Sequence, residues 1–315
     1  MIRQTVLVTG GAGFIGSHLC QRLLGKNFKV ICFDNLSTGS LNNLQKIQPH
    51  INFIKGDCND YNQLKIVFEK NKIDIVFHYA AVVGVKRTLE NPLAVLNDLE
   101  GIRHILELSH LHQIKKVIFA SSSEVYGEPV EIPEVEDGHV NAKLPYAVVK
   151  LAGEKLMEAY FKMYNLNTTS LRFFNVYGPN QESSDYGFVV GIFINQVLEN
   201  IAPTIFGDGT QTRDFVYIED NIEAALLTID APLTAGEVIN IGTGRPVTIL
   251  DLAEEIIELA DKQGILKPQF IESNRNDIKH RFPDVSKMQK LLKFRPHYKL
   301  SEGLSQTLAW YKKIT

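Results

Sequence analysis

Short runs of apolar, often β-branched residues alternate with longer amphipathic stretches through the first half of the chain. Runs that are apolar at nearly every position predict strands buried on both faces of a parallel sheet. We expect five such strands, at residues 5–8, 28–33, 51–54, 73–79 and 116–120. Stretches with helical periodicity separate these strands and predict helices after Gly16 and at residues 63–69, 93–110 and 146–164.

The order of these elements predicts an α/β fold, a Rossmann-type doubly wound parallel sheet with right-handed crossovers. After Phe174 the alternation weakens, with a loop at 175–187, a helix at 188–198, turns at 207–213 and a mixed stretch at 279–310. We expect a smaller, interleaved C-terminal substrate domain there. The sheet domain would comprise residues 1–175, with 213–245 returning to it, and the substrate domain residues 176–212 and 246–315. A ligand should bind in the crevice above the carboxyl ends of the strands.

Composition narrows the class of protein further. The chain has 315 residues, 44% hydrophobic and 22% charged, with a net charge of −3, which is typical of a globular protein with a sizeable core. The chain has no basic block, so we do not expect it to bind nucleic acid. It has no run of ~20 apolar residues, so we do not expect a membrane helix or a membrane partner. Cys20, Cys32 and Cys58 fall in predicted helices or strands, which indicates reduced thiols and a cytoplasmic protein. No histidine or cysteine spacing indicates a metal site.

The first chemical motif is Gly10-x-x-Gly13-x-x-Gly16, placed between the first strand and the first helix. In such a motif the glycines allow a tight turn, a close approach of backbone to a pyrophosphate and close packing of helix on strand. The helix N-terminus then offers free amides to the phosphates. A glycine-rich turn without a ligand is the alternative, but the surrounding strand, helix and strand favour a dinucleotide site.

Asp34 indicates which dinucleotide is bound. It ends the second predicted strand, close to the ~20-residue spacing of the acid that binds the adenosine ribose. A carboxylate there accepts hydrogen bonds from ribose hydroxyls and repels a 2′-phosphate, so we predict NAD rather than NADP. Asp57, at the end of the third strand, is a candidate adenine contact. Either acid could instead be a solvated turn residue.

The second motif is Tyr146-x-x-x-Lys150, preceded by a serine-rich segment at 121–127. Residues four apart share one face of a helix, so the Lys150 ammonium would lie close to the phenol of Tyr146. That charge, with the oxidised nicotinamide, should lower the pKa of Tyr146 from ~10 and make it a base for a sugar hydroxyl. Lys150 can also reach the nicotinamide ribose. Chance matches to Tyr-x-x-x-Lys are common. When the motif follows a predicted dinucleotide-binding fold in the same chain, it predicts a catalytic role.

At this point the sequence resembles the extended short-chain dehydrogenases/reductases, in their NAD-dependent nucleotide-sugar epimerase/dehydratase branch, and is similar to UDP-glucose 4-epimerases. Segments that carry the resemblance are residues 9–16, 34–35, 78–81, 121–127, 146–150, 172–179 and 207–216. The resemblance implies cofactor contacts from Phe14, Ile15, Asn35, Ala80 and Ala81. It implies a catalytic Ser122 beside Tyr146 and substrate contacts from Ser122, Ser123, Asn175, Val190, Arg213 and Arg281. One departure is Asp98, where the family has an asparagine near the cofactor.

For Arg213 the implied role agrees with its chemistry, because a guanidinium grips phosphate oxygens in a bidentate fork. A surface ion pair is the alternative.

Members of this family oxidise the sugar at C4 and later return the hydride, and the steps between define the enzyme. An epimerase needs only Ser122, Tyr146 and Lys150. A dehydratase or decarboxylase needs a further group, and Glu124 resembles the glutamate that such relatives carry after the catalytic serine. Arg281 would suit a C6 carboxylate. Against a decarboxylase, residues 81–87 resemble the epimerase form, and residues 147–149 lack the acidic side chains that decarboxylases tend to have there. Glu124 could also simply form a local pair outside the sugar pocket.

The resemblance therefore predicts an enzyme that acts on a nucleotide-diphosphate sugar, most simply a UDP-hexose or UDP-hexuronate 4-epimerase. A UDP-glucuronate decarboxylase or a nucleotide-sugar 4,6-dehydratase that uses Glu124 is the alternative, and a non-catalytic NAD-binding scaffold is a remote one. The apolar faces of helices at 93–110 and 150–164 would, by the same resemblance, pair in a homodimer.

Overall fold

A computed structural model describes residues 3–83, 88, 90–181, 188–272 and 278–314. Two predicted loops are therefore described only in part, because residues 84–87 and 182–187 lie outside these ranges. The described strands, in chain order, are β1 (Thr5–Thr9), β2 (Lys29–Asp34), β3 (Asn52–Lys55), β4 (Ile75–His78), β5 (Lys116–Ser122), β6 (Thr168–Phe173), β7 (Asn175–Tyr177), β8 (Thr204–Phe206), β9 (Thr212–Tyr217), β10 (Glu237–Ile241), β11 (Pro246–Thr248), β12 (Gln269–Ile271) and β13 (His280–Arg281).

The described helices, in chain order, are α1 (Phe14–Gly25), α2 (Tyr61–Lys70), α3 (Pro92–Leu111), α4 (Pro145–Tyr164), α5 (Val189–Leu198), α6 (Ile218–Leu227), α7 (Ile249–Leu259), α8 (Ser286–Leu292) and α9 (Leu300–Ile314). In the portions of the chain that the structure describes, none of these helices is long and apolar enough to cross a membrane.

Seven strands form one sheet in the order β10-β6-β5-β4-β1-β2-β3, and every neighbouring pair is parallel. This confirms the predicted doubly wound α/β fold. The five predicted strands match β1 to β5 to within about two residues at most ends. The strand order reverses at β1, so the crevice above the carboxyl ends of β1 and β4 is the place where such a sheet binds ligands.

Helices cover both faces of this sheet. One face packs against α2, α3 and α4 in a core that includes Phe68, Ile105, Phe119 and Met157. The other face packs against α1 and α6, and its core continues into the C-terminal helices through Leu252 and Leu304. Both faces of the sheet are therefore shielded from solvent. This explains why the strands have mainly apolar runs rather than alternating apolar and polar residues.

Smaller sheets carry the rest of the strands. β9 pairs with β11, β13 and β7, and β8 pairs with β12. Of the segment 213–245, β10 lies in the large sheet beside β6, whereas β9 lies in the small sheet. β9 thus brings residues 212–217 alongside the end of β7, which follows directly from β6.

A buried ion pair fastens α4 to the sheet. Arg172 on β6 donates from Nε and Nη2 to the two carboxylate oxygens of Glu154, at 2.8 and 2.7 Å, and the side chains are 4% and 2% exposed. Ser121 at the end of β5 donates to the same carboxylate. Buried charges are tolerated only when paired and hydrogen-bonded, so this group fixes the position of the helix over the strand ends.

We expect Glu154→Ala to destabilise the protein by about 3–5 kcal/mol, because it leaves the Arg172 guanidinium buried without its counter-charge. Urea denaturation followed by circular dichroism measures this loss. Glu158→Ala is the matched control, since Glu158 lies one turn further along α4 and pairs at the surface with Lys155 and Lys162. That variant should lose no more than about 1 kcal/mol. Equal losses in the two variants would contradict the role given to the buried pair.

Candidate active site

The turn after β1 is held by close contacts that only glycine permits. Gly10 has a φ of +67°, and a Cβ there would lie 2.7 Å from the backbone nitrogen of Ala80, at the end of β4. A Cβ on Gly16 would lie 2.1 Å from the carbonyl oxygen of Gly10. The first glycine thus lets β1 and β4 converge, and the last lets α1 pack onto the turn.

Helix α1 begins at this turn without a side-chain cap. Gly13 is the N-cap residue, with φ −74° and ψ 179°, and has no side chain to accept from the helix. The first amides of a helix, here including those of Phe14 and Ile15, lack an acceptor within the helix and carry the positive end of its dipole. The turn at residues 10–13 and the first amides of α1, called the glycine cradle below, therefore fit the pyrophosphate of a dinucleotide.

Asp34 ends β2 next to this cradle and is only 7% exposed. Its Oδ2 accepts from the Ala12 amide at 2.9 Å and its Oδ1 accepts from the Leu36 amide at 2.7 Å. Each carboxylate oxygen accepts more than one hydrogen bond, so capacity for ribose hydroxyls remains. The sequence indicated the ribose role but not that Asp34 also ties the glycine turn to β2.

The other residues expected at the cofactor lie around the same edge of the sheet. Asn35 donates from Nδ2 to Asp57 Oδ2 at 3.1 Å, which joins the ends of β2 and β3. Ala80 donates its amide to Thr9 Oγ1 at 3.3 Å, and Ala81 follows it half-buried. The structure thus brings the predicted cofactor residues to one crevice.

Ser122, Tyr146 and Lys150 meet where β5 ends. The Ser122 hydroxyl caps the following 3₁₀ turn by accepting from the Glu124 amide at 3.2 Å, and it hydrogen-bonds Tyr146. Lys150 is 3% exposed and donates from Nζ to the carbonyl oxygen of Ala120 at 2.7 Å. Its Nζ lies 5.5 Å from the centroid of the Tyr146 ring.

The predicted net fall in the pKa of Tyr146 is wrong as far as the protein's own groups are concerned, because that pKa is raised. Burial raises the pKa of Tyr146 well above its usual value, the bond from Ser122 lowers it, and the charges of Glu124 and Asp98 raise it further. Lys150 points its ammonium at Ala120 instead. Burial also lowers the pKa of Lys150 to about 8, opposed by Asp98 and Glu154.

Arg281 and Glu124 form an ion pair near Tyr146. Arg281 is 3% exposed and donates from Nη1 to the Glu124 carboxylate and from Nη2 to the Gly127 carbonyl at 2.7 Å. Glu124 keeps 42% of its side chain exposed and acts on the pKa of Tyr146, so it faces the crevice. Ser123, between Glu124 and the strand end, is buried.

Glu134 is a buried carboxyl that sequence reasoning missed. Its Oε1 lies 3.9 Å from Arg281 Nε, and among the described residues neither of its carboxylate oxygens has a hydrogen-bond partner. Burial raises the pKa of Glu134 to about 8, while Arg281 lowers it and Glu124 raises it. Glu134 is one of five acidic residues at 128–137, and the sequence gives no reason to single it out.

The predicted substrate residues of the C-terminal part are half-buried or buried. Asn175 on β7 donates to the Asp214 carbonyl at 2.9 Å. Arg213, on the adjoining strand β9, donates from Nη1 to the carbonyl oxygens of Thr212 and Ile278 at 2.8 and 2.7 Å. Val190 on α5 is buried in the main core.

Metal chemistry has no candidate ligand set in the described ranges. There, no group of three or more His, Cys, Asp or Glu side chains is placed to hold a metal ion. His78 instead shares a hydrogen bond with Thr9 Oγ1 at 2.8 Å, and burial lowers the pKa of His78 to about 3.

Comparison with known proteins agrees with this architecture. Residues 6–242 match the NAD dependent epimerase/dehydratase family. Over 98% of its length the chain is 35% identical to a UDP-glucuronate 4-epimerase of Thermodesulfobacterium geofontis, covering 96% of that protein. It is 33% identical to a UDP-N-acetyl-alpha-D-glucosaminuronate decarboxylase of Bacillus cytotoxicus, with 99% of each chain covered.

A solved structure extends the comparison to three dimensions. The UDP-glucose 4-epimerase of Thermotoga maritima, determined with UDP-glucose, superposes with a TM-score of 0.93 at 33% identity and 99% coverage of both chains. The chain therefore belongs to the NAD dependent epimerase/dehydratase family. This confirms the predicted family, its enzymatic character and its use of NAD.

Glu134 generates a pH-dependent prediction. With a folded pKa of about 8, above that of an ordinary glutamate, Glu134 holds a proton that the unfolded chain releases. Its contribution to stability therefore falls as the pH rises from about 4.5 to about 8. Glu134→Gln removes that fall, so its Tm should exceed that of the wild type at pH 8 by about 2–4 °C, with little difference near pH 4.5.

Differential scanning fluorimetry across this pH range measures the effect. Glu131→Gln is the control, because Glu131 is an exposed carboxyl on the same segment and should show no pH-dependent gain. A Glu134→Gln protein that is less stable than the wild type at pH 8 would show that this carboxyl is ionised and paired.

Proposed function

We propose that this chain is a UDP-sugar 4-epimerase acting on a UDP-hexose or UDP-hexuronate. The observation that carries the proposal is the meeting of Ser122, Tyr146 and Lys150 at the end of β5, beside the glycine cradle. When bound, NAD would supply the hydride acceptor and donor for C4 of the sugar. The residues that would hold it are Gly10, Gly13, Phe14, Ile15, Gly16, Asp34, Asn35, Asp57, Ala80, Ala81, Tyr146 and Lys150.

Tyr146 is the base in this proposal. Its phenolic oxygen takes the proton of the C4 hydroxyl as the sugar is oxidised and returns it as the sugar is reduced. Ser122 hydrogen-bonds Tyr146, and the same hydroxyl would hydrogen-bond the sugar oxygen of a bound substrate. The protein's own groups raise the pKa of Tyr146, and the positive charge of an oxidised nicotinamide, if bound beside the phenol, would favour the phenolate.

In this proposal Lys150 positions the nicotinamide ribose and stabilises the phenolate of Tyr146. An ammonium has three donors, and one of them goes to the Ala120 carbonyl, which fixes the side chain against β5. The other donors can serve the hydroxyls of the nicotinamide ribose. Its positive charge, 5.5 Å from the Tyr146 ring, favours the phenolate once the proton has left.

The remaining polar groups are assigned to the substrate. Asn175 and Arg213 lie on neighbouring strands β7 and β9, where an amide and a guanidinium suit the diphosphate. Glu124 and Arg281 line the sugar side with Ser123. Val190 is buried in the core, so it would affect the substrate only through the shape of the binding crevice.

A second candidate is decarboxylation or dehydration by the same cofactor chemistry. It is favoured by Glu124, a carboxylate that faces the crevice and acts on Tyr146. The similarity to a decarboxylase of Bacillus cytotoxicus also supports it. We prefer epimerisation because it requires only the three groups at the end of β5, whereas Glu124 is already paired with Arg281.

The oligomeric state and the domain boundaries are also part of this proposal. We propose a cytoplasmic homodimer formed through α3 and α4, whose exposed apolar side chains include Leu93, Leu96, Val148 and Met163. We further propose that residues 1–175 and part of 213–245 bind NAD, and that 176–212 and 246–315 bind the substrate.

Tyr146→Phe should retain NAD binding but lose turnover by about 10²–10⁴-fold, because it removes the proton acceptor and little else. Coupled assays of UDP-glucose and UDP-glucuronate epimerisation measure the loss, and NAD content is measured after purification. Tyr164→Phe, at the exposed end of the same helix, should be unchanged. Near-normal turnover by Tyr146→Phe would exclude it as the base.

Glu124→Gln distinguishes the two candidate functions. It should change an epimerase by less than about threefold but reduce a decarboxylase or dehydratase by about 10²-fold or more, since only those reactions need its carboxylate. Mass spectrometry of a panel of UDP-sugars identifies the reaction, because epimerisation preserves mass, decarboxylation loses carbon dioxide and dehydration loses water. A mass change in the wild-type product would overturn the epimerase assignment.

A further inference from the structure

The first two turns of α1 are bound to the chain that follows β7. His18 lies in the second turn of the helix, and its Nε2 donates to the carbonyl oxygen of Pro179 at 2.9 Å. One residue further along that chain, Asn180 donates from Nδ2 to Ser17 Oγ at 3.2 Å. Two neighbouring residues of α1 thus bind two neighbouring residues of the segment 178–181. These four residues are called the α1 clamp below.

On the helix side, the α1 clamp begins in the turn that follows the glycine cradle. The Ser17 amide donates to the Gly13 carbonyl at 3.0 Å, which closes the first turn of α1, and the Ser17 hydroxyl donates to the Phe14 carbonyl at 2.9 Å. The Phe14 ring contacts the His18 ring edge to face, with the centroids 6.0 Å apart. Ser17 and His18 are therefore fixed relative to the amides that the proposed function gives to the pyrophosphate.

On the other side, the α1 clamp holds the chain directly after β7. This strand carries Asn175, which donates to the Asp214 carbonyl at 2.9 Å and lies opposite Phe215 of β9. Asn175 and Arg213 therefore belong to one small sheet, and the proposed function assigns both to the substrate diphosphate. The segment 178–181 starts at the first residue after β7, so the clamp attaches this small sheet to the helix that would hold the cofactor.

Asn180 suits its place in the α1 clamp for two reasons. Its φ is +67°, a left-handed conformation that asparagine adopts more readily than most residues. Its side-chain amide then reaches the Ser17 hydroxyl, which donates within the helix and so has lone pairs left to accept. The Gln181 side chain donates back to the Val176 carbonyl at 2.8 Å. The segment 178–181 thus has a defined shape, which the clamp joins to α1.

The hydrogen bond from His18 does not require a charged ring. A carbonyl oxygen only accepts, so Nε2 carries the hydrogen in the neutral as well as in the protonated imidazole. Nδ1 lies 3.8 Å from Glu219 Oε1 on α6, which adds an ion pair only when the ring is protonated. The contact to Pro179 is therefore available to both forms of His18.

We propose that His18 is a positioning residue: by holding the Pro179 carbonyl against α1, it sets where a bound UDP-sugar lies relative to NAD. The proposal rests on the proposed function, which gives the cofactor to α1 and the diphosphate to β7 and β9. It adds to that function a residue that joins the two binding surfaces. Because a misplacement of about 1 Å between reacting groups can cost ~10²-fold in rate, this joint matters for turnover.

His18→Leu removes the donor and keeps an apolar side chain against Phe14. Asn175 and Arg213 stay on their own small sheet, so we expect KM for the UDP-sugar to change by less than about threefold. Turnover depends on the alignment of sugar and cofactor, so kcat should fall by about tenfold. His18→Gln, whose side-chain amide can donate to Pro179 from a similar position, should restore kcat to within about threefold of the wild type.

Asn180→Gly tests the other half of the α1 clamp, because glycine accepts the left-handed backbone and lacks the donor to Ser17. It should also lower kcat, by about threefold to tenfold, and it serves if His18→Leu does not fold. Arg22→Ala is the matched control, since Arg22 lies one turn further along the same face of α1 and pairs with two glutamates of α6. Its kcat and KM should equal those of the wild type, and all variants should retain NAD.

Hydrogen exchange followed by mass spectrometry supplies a readout that needs no turnover. Peptides that cover the segment 178–181 should exchange at least about threefold faster in His18→Leu than in the wild type or in Arg22→Ala. Unchanged exchange, or a kcat within about twofold of the wild type, in both clamp variants would overturn the proposal, as would an equal loss in Arg22→Ala. Faster exchange in a protein that epimerises no UDP-sugar would uphold the α1 clamp and refute the proposed function, so the two failures are distinguishable.

Discussion

The register of helix α4 over the end of strand β5 is the constraint on which the site depends. Tyr146, Lys150 and Glu154 occur at intervals of four and share one face of the helix. Their partners are Ser122, Ala120 and Ser121, which are consecutive residues at the carboxyl end of β5. The ammonium and the carboxylate are thereby held in a buried layer, beside the half-buried phenol, and each of the two charges needs compensation there.

That compensation comes from elements far apart in sequence. Arg172 on β6 neutralises Glu154, and Asp98 on α3 acts on Lys150. The glycine contacts at Gly10 let β4 approach β1, which places the Val82 segment within reach of Asp98. The proposed catalytic cluster is therefore stabilised by the same sheet order that creates the crevice.

Much of the fold follows from the sequence, because strands β1 to β5 each contain a mainly apolar run and the glycine turn has a fixed spacing. β6 was not predicted as a separate strand, since Ser170 and Arg172 make it look polar although both are buried. Their burial depends on hydrogen bonds such as that of Arg172 to Glu154, which no local pattern reveals. β10 likewise joins the sheet only through the chain's return after the small sheet.

In the candidate site, too, local motifs could be predicted from the sequence, whereas contacts between distant segments could not. Motif spacing indicated Asp34, Tyr146 and Lys150, and the structure places them at one edge of the sheet. The direction of the Tyr146 pKa could not be predicted, because it depends on how deeply the phenol is buried and on where Lys150 points. The pairing of Arg281 with Glu124, and the burial of Glu134 behind it, arise from contacts between segments about 150 residues apart.

The central claim, that one enclosed site removes and restores the hydrogen at C4 while Tyr146 handles the proton, is tested most directly by isotope tracing. A UDP-sugar that the protein turns over, carrying deuterium at C4, is converted in ordinary water and the product is analysed by mass spectrometry and nuclear magnetic resonance. We expect the deuterium to remain at C4 with the configuration inverted. Loss of the deuterium to solvent would contradict the mechanism.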